Sequence, residues 1–493
     1  MKLSLREHIF NIEKAHKKRR QVDPYQQKYH VMPPVGGIYE PSGLCDCDGD
    51  YYVFIQYSPM DIDRNGQCFS LYKSRDLLHF MYVGVPIIAD QNIDKDGVFS
   101  GSTLMIGKEM YFYYTGKVIQ QAESNELERY EFNTIVVKVS KDSYFNDVYS
   151  DKLVVLKSTD YNEMASGRVC GPKVWQENEA HFMVHAVRLI NGGGMILFFT
   201  SKDKIKWEYK KKLDVKEEFD IFECPDFFYL DNKPILSINM LNDPSQDQSM
   251  NSFRNDVKSN VEYITRVNKT SDDYKVGYYF IEGKSIDDYV LGEFHEWDKG
   301  FDFYAPQTFM DRNERVIMIA LMGIPNNLYI NPTKELGWQH CLTIPRELAL
   351  KEGKLFQSPI KEFEMLRKNG QSEIIKEELE VILKNTSEII LSYAKESREC
   401  NVDINNILKL IYDRKKQKFS MKFVGGMGYG RSKREIRLKH LSEIRILLDS
   451  SSAEIFLNDG EEVLTTRIFK REKEYVVKVR SNSASLKWWD IEI

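Results

Sequence analysis

The chain has 493 residues, 42% hydrophobic and 12% aromatic, and its 69 Lys and Arg against 74 Asp and Glu give a formal net charge of −5. That is too long for one ordinary core, and too weakly charged for a nucleic-acid partner, which needs a basic face. No run approaches the ~18 apolar residues of a membrane span, and Met1 to Val22 is charged throughout with no apolar signal segment, so neither a membrane nor secretion is expected.

Seven cysteines, at 45, 47, 68, 170, 224, 341 and 400, form an odd and scattered set. They suggest a reducing, cytoplasmic compartment rather than a disulfide framework. Cys45-x-Cys47 has the wrong spacing for a zinc knuckle, so no metal and no cofactor are expected.

In chain order, residues 3–21 read as an amphipathic helix, with Leu5, Ile9 and Ile12 on one face and a basic run at the end that suits the helix dipole. From about residue 28 the pattern changes to short strands and polar turns. Hairpins are expected where Thr103–Ile106 meets Met110–Tyr114 and where Phe227–Leu230 meets Pro234–Ile238, and a further strand at Val316–Leu321. Ser74-Arg75-Asp76, Ser140-Lys141-Asp142 and Ser201-Lys202-Asp203 each follow an apolar strand and precede an aromatic residue (Phe80, Phe145, Trp207). A strand-rich unit recurring at this interval is what a propeller blade looks like, and residues 30–345 have room for about five. Ala122–Phe132 and Asp243–Tyr274 read as loops or insertions. Lys- and Glu-rich residues 350–378 read as a connection between domains. Beyond them, Glu443–Asp449 and Ala453–Leu457, followed by the tight turn Asn458-Asp459-Gly460, belong to a β-sandwich.

Two carboxylates stand out. Glu40 lies in Pro33-Pro34-Val35-Gly36-Gly37-Ile38-Tyr39-Glu40-Pro41-Ser42-Gly43, just before the alternating strand Tyr51–Tyr57. By itself it is a turn acceptor or a placed catalytic group, and composition favours the former. Glu223, in Phe222-Glu223-Cys224-Pro225-Asp226, has apolar neighbours that would raise its pKa as a general acid requires; the alternative is a partly exposed Glu at a strand start. In a propeller, residues distant in sequence meet in one funnel, where such a pair can hydrolyse a glycoside.

Six ordered motifs make the chain resemble glycoside hydrolase family 32, the invertases, sucrose-6-phosphate hydrolases and fructanases. They are residues 33–43; Phe99-Ser100-Gly101-Ser102 with Tyr114-Thr115-Gly116; Phe222–Asp226; Asp302-Phe303-Tyr304-Ala305-Pro306-Gln307; Gly337-Trp338 with Ile344–Glu347; and Asp449–Phe469. The resemblance implies an all-β fold: a five-bladed β-propeller followed by a C-terminal β-sandwich, with a short N-terminal helix. The expected division is a helical lead at 1–27, a catalytic propeller at 28–349, a connection at 350–378 and a sandwich at 379–493. It also implies a retaining glycosidase with Glu40 as nucleophile and Glu223 as acid/base, in a pocket lined by Tyr39, Gln56, Phe99, Ser100, Cys170, Gly171 and Tyr304. The partner is then a small sugar or oligosaccharide, a β-fructoside or a relative carrying a phosphate; the helix and the sandwich each offer a surface for a homodimer.

The chain departs from the family pattern at the site. Glu40 stands for the family's Asp, which adds about 1 Å of reach, a misplacement that can cost roughly a hundredfold in rate. Gly37 and Tyr39 replace a Trp and an Asn, and Ser42 replaces a second Asn. Cys170-Gly171 replaces an Arg-Asp pair whose carboxylate holds sugar hydroxyls in the family. A tryptophan expected near Leu321 is missing. Gly37 and Gly171 are expected to make room for a shifted backbone or ligand. A second reading, a non-catalytic sugar-binding or regulatory protein on the same fold, rests on the Cys170-Gly171 change; the retained Glu40 and Glu223 speak against it.

Overall fold

The computed structural model describes residues 5–17, 22–62, 66–120, 129–139, 151–161, 165–189, 193–242, 274–324, 329–394 and 399–493. It is all-β apart from one α-helix, Leu5–Lys17, and short 3₁₀ turns. The helix buries Ile9 in a cluster with Ile38, Val53 and Ile55 of the first sheet, as its apolar face predicts.

Five antiparallel sheets follow one another. The first holds 36–47, 50–58, 68–74 and 81–88; the second 97–106, 109–120, 129–139 and 153–156; the third 165–177, 180–189, 194–201 and 208–213. The fourth holds 221–230, 233–241, 274–282 and 290–296, and the fifth 304–310, 316–322, 346–351 and 354–359. In each, neighbouring strands are joined in sequence order. The leading strand of each sheet packs against the leading strand of the next, and 304–310 returns to 36–47. Residues 338–339 pair in parallel with 36–37, so a late segment completes the first sheet.

Two six-stranded sheets make up the rest, one including 367–375, 443–449, 452–457 and 462–467, the other 378–384, 399–404 and 474–480. Their inner faces share one apolar cluster built on Ile389, Val402, Leu410, Ile446, Ile455 and Val477. Both hairpins, the 316–322 strand and the turn at Asn458-Asp459-Gly460, with positive φ at all three residues, appear where the sequence puts them.

Residues 350–378 depart from the reading as a connection. Their charged residues alternate with Leu355 and Ile375, so 354–359 closes the fifth sheet and 367–375 edges a later one. The crossing between halves shrinks to a 3₁₀ turn at Lys361–Leu366. Residues 129–132 of the first expected loop are strand, because Tyr130 and Phe132 pair with Ile119 and Lys117. The rest of that loop and almost all of the second lie outside the described residues.

The Ser-basic-Asp triplets have a structural job. Ser74 and Ser201 each donate to the Asp two residues on, and that Asp accepts the next turn's backbone N–H groups, Leu78 and His79 in one case, Ile205 and Lys206 in the other. The same Ser–Asp turn therefore leads from third to fourth strand in two sheets. The Ser140 triplet lies outside the described residues. No described helix is long and apolar enough to cross a membrane.

Candidate active site

The leading strands carry the site because each is broken at the same level. Pairing slips between Ile38 and Pro41, Phe99 and Gly101, Glu223 and Asp226, and Tyr304 and Gln307, and opposite residues 170–173. A β-bulge bends its strand and re-aims the side chains beside it. In four of the five a proline follows the turned residue: Glu40-Pro41, Gly171-Pro172, Cys224-Pro225 and Ala305-Pro306. Proline has no N–H to give the ladder, so it suits a position at or beside the slip. Gly171, Cys224 and Ala305 have φ of 52°, 49° and 47°.

The turned side chains converge. Glu40 is buried, 7% exposed, and its Oε2 accepts the Ser100 hydroxyl. Ser100 Oγ lies 3.4 Å from Cys224 Sγ. Next to Cys224, Glu223 accepts the Tyr304 hydroxyl on Oε2 at 2.9 Å and the Arg168 guanidinium on Oε1 at 2.9 Å. Cys170 and Gly171 complete the wall, since the backbone at 171 runs against Ser100, Cys224 and Pro225. Below, Asp226 ties three leading strands by pairing with Lys173 and accepting both the amide and hydroxyl of Thr308, at 2.8 and 2.7 Å.

Burial, first, and the charge of Glu223, second, push the Glu40 carboxyl up to about 7, against the stabilising hydrogen bonds of Ser100 and Cys224. Glu40 therefore keeps its proton over part of the neutral range. Burial and the same carboxylates hold the Cys170 and Cys224 thiols well above the ordinary thiol range, which makes them neutral and unreactive. Among the described residues no group of three or more His, Cys, Asp or Glu is placed to hold a metal ion.

The remaining expected residues sit beside this cluster. Gln56 is fully buried and donates to the Val98 carbonyl at 2.8 Å, bracing the strand that carries Phe99 and Ser100. The half-buried Phe99 ring covers Gly66 and Gly97, where a Cβ would come within 3.0 and 2.7 Å of it. Tyr39 donates to the Ile62 carbonyl at 2.7 Å, accepts from Gln339 at 3.0 Å, and meets His340 edge-on.

Two expectations about space are corrected. A Cβ on Gly37 would lie 3.1 Å from the Tyr39 ring, so the room left at 37 is filled by the aromatic two residues on. A Cβ on Gly171 would lie 3.1 Å from Ser100 Cβ and 3.3 Å from Pro225 Cδ, so this is close approach, not open space. The sequence neighbours of Glu223 are apolar as read, but Arg168 and Tyr304 reach its oxygens from other positions. Arg168 was not legible as a site residue. It lies two positions before Cys170 on the same strand, and residues i and i+2 share a face, so it supplies a guanidinium to the wall that Cys170 lacks.

Comparison with known proteins gives a consistent picture. Residues 30–359 match the model for the glycosyl hydrolases family 32 N-terminal domain, and residues 362–493 that for the glycosyl hydrolases family 32 C-terminal region. The sucrose-6-phosphate hydrolase of Staphylococcus xylosus is 29% identical over 476 residues, 93% of this chain and 90% of that protein. Among solved structures, a sucrose-6-phosphate hydrolase from Lactobacillus gasseri superposes with a TM-score of 0.81 at 20% identity, covering 98% of this chain and 96% of its own. A Bombyx mori GH32 beta-fructofuranosidase superposes equally well, TM-score 0.81 at 21% identity, over 99% of both chains. These two likenesses concern the fold.

Proposed function

We propose, from the premise that this chain belongs to glycosyl hydrolase family 32, that it cleaves a β-fructoside with retention, using Glu40 as nucleophile and Glu223 as acid/base. The chain is a glycosidase, and its relatives are sucrose-6-phosphate hydrolases, so a phosphorylated sucrose is the substrate of choice. The observation that carries the residue assignment is the convergence of Glu40 and Glu223 in one buried pocket, electrostatically coupled, with Tyr304 and Ser100 each holding one of them.

In the first step a Glu40 carboxylate oxygen bonds to the anomeric carbon as the glycosidic oxygen leaves with the proton of Glu223. In the second, Glu223 takes a proton from water, the oxygen of that water bonds to the anomeric carbon, and Glu40 is released. Ser100 and Cys224 stabilise Glu40 when it is charged; Tyr304 orients Glu223. The five sheets read as the blades of a propeller running to residue 359, and the two six-stranded sheets as a β-sandwich from 367. A cytoplasmic location suits both a sugar phosphate, which does not cross a bilayer, and seven free thiols.

The test is hydrolysis by the purified protein of sucrose 6-phosphate, sucrose, inulin-type oligosaccharides and aryl glycosides, with Glu40→Gln and Glu223→Gln alongside. Loss of the general acid is expected to cost about 10²–10⁴ in kcat, and loss of the nucleophile about 10⁴ or more. Hydrolysis of every substrate at the rate of the double variant would defeat the reading.

A further inference from the structure

Glu223 has both oxygens engaged. Oε2 takes the Tyr304 hydroxyl and Oε1 takes Arg168 Nη2, each at 2.9 Å. The two contacts differ chemically. A tyrosine hydroxyl can turn and accept, so it tolerates a protonated carboxyl; a guanidinium only donates. While Arg168 holds Oε1, that oxygen cannot carry the proton a leaving group needs. Yet the mechanism above requires a protonated Glu223 and an ionised Glu40. The contact seen in the structure favours the opposite distribution, with charge on Glu223 and the proton of the pair on Glu40, whose carboxyl is pushed up to about 7. Drawing Arg168 away removes the contact that favours a charged Glu223.

The exposures indicate the direction. The Arg168 side chain is 41% exposed and that of Glu223 13%. The guanidinium is therefore the more solvent-accessible partner of the pair and can be reached by a charged group on a substrate. Lys173, on the same strand, is committed to Asp226. A planar guanidinium binds phosphate bidentately and in preference to a single carboxylate oxygen.

We propose that Arg168 is a substrate-gated positioning residue: a dianionic phosphate on the leaving sugar draws the guanidinium off Glu223, and the acid is thereby freed to carry its proton. This rests on the reading of the chain as a fructoside hydrolase. The proton balance is simple. Before the first bond breaks, the Glu40–Glu223 pair carries one proton. With Arg168 on Glu223 the proton resides on Glu40. With Arg168 on phosphate it passes to Glu223, and Glu40, still receiving the Ser100 hydroxyl, becomes the carboxylate that attacks. The other groups facing Glu223 are Cys170 and Cys224, whose neutral thiols do not compete, and Tyr304. In sucrose 6-phosphate the phosphate is on the glucose, the leaving sugar, as the device requires.

The test compares kcat/KM for sucrose 6-phosphate and for sucrose across pH in the wild-type protein, Arg168→Lys and Arg168→Gln. The wild type is expected to prefer the phosphorylated sugar, and the ratio of the two kcat/KM values to fall about 10–100-fold in Arg168→Gln, with Arg168→Lys between. A second readout separates gating from simple phosphate binding. On sucrose, the basic limb of the wild-type kcat profile should lie at lower pH than the limb for sucrose 6-phosphate, because only the phosphate removes Arg168. Arg168→Gln should move the sucrose limb up to the position seen with the phosphorylated sugar. Circular dichroism and thermal unfolding report whether each variant is folded, and Arg168→Lys carries the test if Arg168→Gln is not. Equal wild-type efficiency on both sugars, an unchanged ratio in the variants, or coincident limbs would overturn the gate while leaving the fructosidase reading intact. Absence of cleavage of either sugar by the wild type would overturn both.

Discussion

Two regions of this molecule bury carboxylates together, and they do opposite things with them. Where the two halves of the chain meet, Asp449 and Glu454 flank His30, each 2.9 Å from one ring nitrogen, and all three side chains are fully buried. Arg346 adds a second cation, at 2.5 Å from Glu454 and 3.2 Å from Asp298, and Arg431 pairs with Asp302 at 2.5 Å. Asp449 also accepts three successive backbone N–H groups, from Lys28, Tyr29 and His30. Burial alone would lift these acids. The hydrogen bond and charge of His30 hold Asp449 below the usual range, and the charge of Arg346 with the bond from His30 does the same for Glu454. In the pocket, Glu40 pairs with no cation among the described residues: a hydroxyl and a thiol donate to it, and the charge of Glu223 acts on it. The interface neutralises its charge and becomes a joint. The pocket pairs Glu223 with Arg168 but gives Glu40 a hydroxyl and a thiol in place of a cation, so Glu40 holds a proton up to about pH 7 and the site becomes reactive.

The comparison can be broken at either end. Arg346→Ala should cost about 3–5 kcal/mol, because it strips the cation from Asp298 and from one oxygen of Glu454, and chemical unfolding measures it. A cost below about 1 kcal/mol would mean that the interface is not held as described. Glu40→Gln should do the reverse. A carboxyl whose pKa is raised on folding destabilises the native state increasingly as pH rises from its unfolded value near 4.5 toward about 7. The variant, free of that penalty, should therefore be more stable than the wild type at pH 8, by about 2–3 kcal/mol, with the gain gone below pH 4. Parallel stability–pH curves for the two proteins would contradict a raised Glu40 pKa. The smallest effect tests the wall of the site. Gly171→Ala forces a Cβ to 3.1 Å from Ser100 at a φ of 52° and should cost about 1–2 kcal/mol. Gly171→Asp, which restores the family's carboxylate, should for the same reason lower kcat rather than raise it; an increase would show that the backbone there yields.

Much of this was legible in the sequence, and the residues show why. Hairpins, the helix and the Asn-Asp-Gly turn follow from local periodicity and turn chemistry. Glu40, Ser100, Glu223 and Tyr304 lie on motifs that follow one another in order along the sequence, and the structure brings the four into one cluster. What was missed depends on distances between strands. Gly37 and Gly171 look like space in a sequence, but Tyr39 fills one and Ser100 with Pro225 presses on the other. Arg168 was invisible because the motif position is 170, and only strand alternation places 168 on the same wall. One signal was available and unused: a proline after the turned residue on four of five leading strands, which marks the level of the site. Residues 350–378 misled because a charged edge strand, polar on its exposed face, has the composition of a linker.

The central claim is that Glu40 is the nucleophile and Glu223 its acid/base, and one measurement reaches it directly. Glu223→Gln, given a fructoside with a good leaving group, retains the first step, which no longer needs an acid, and lacks the base for the second. Acid quenching, proteolysis and mass spectrometry should then find one sugar residue attached to the peptide that carries Glu40. A label on another carboxylate, or an unlabelled Glu40 peptide while the leaving group is released in a burst, would contradict the account.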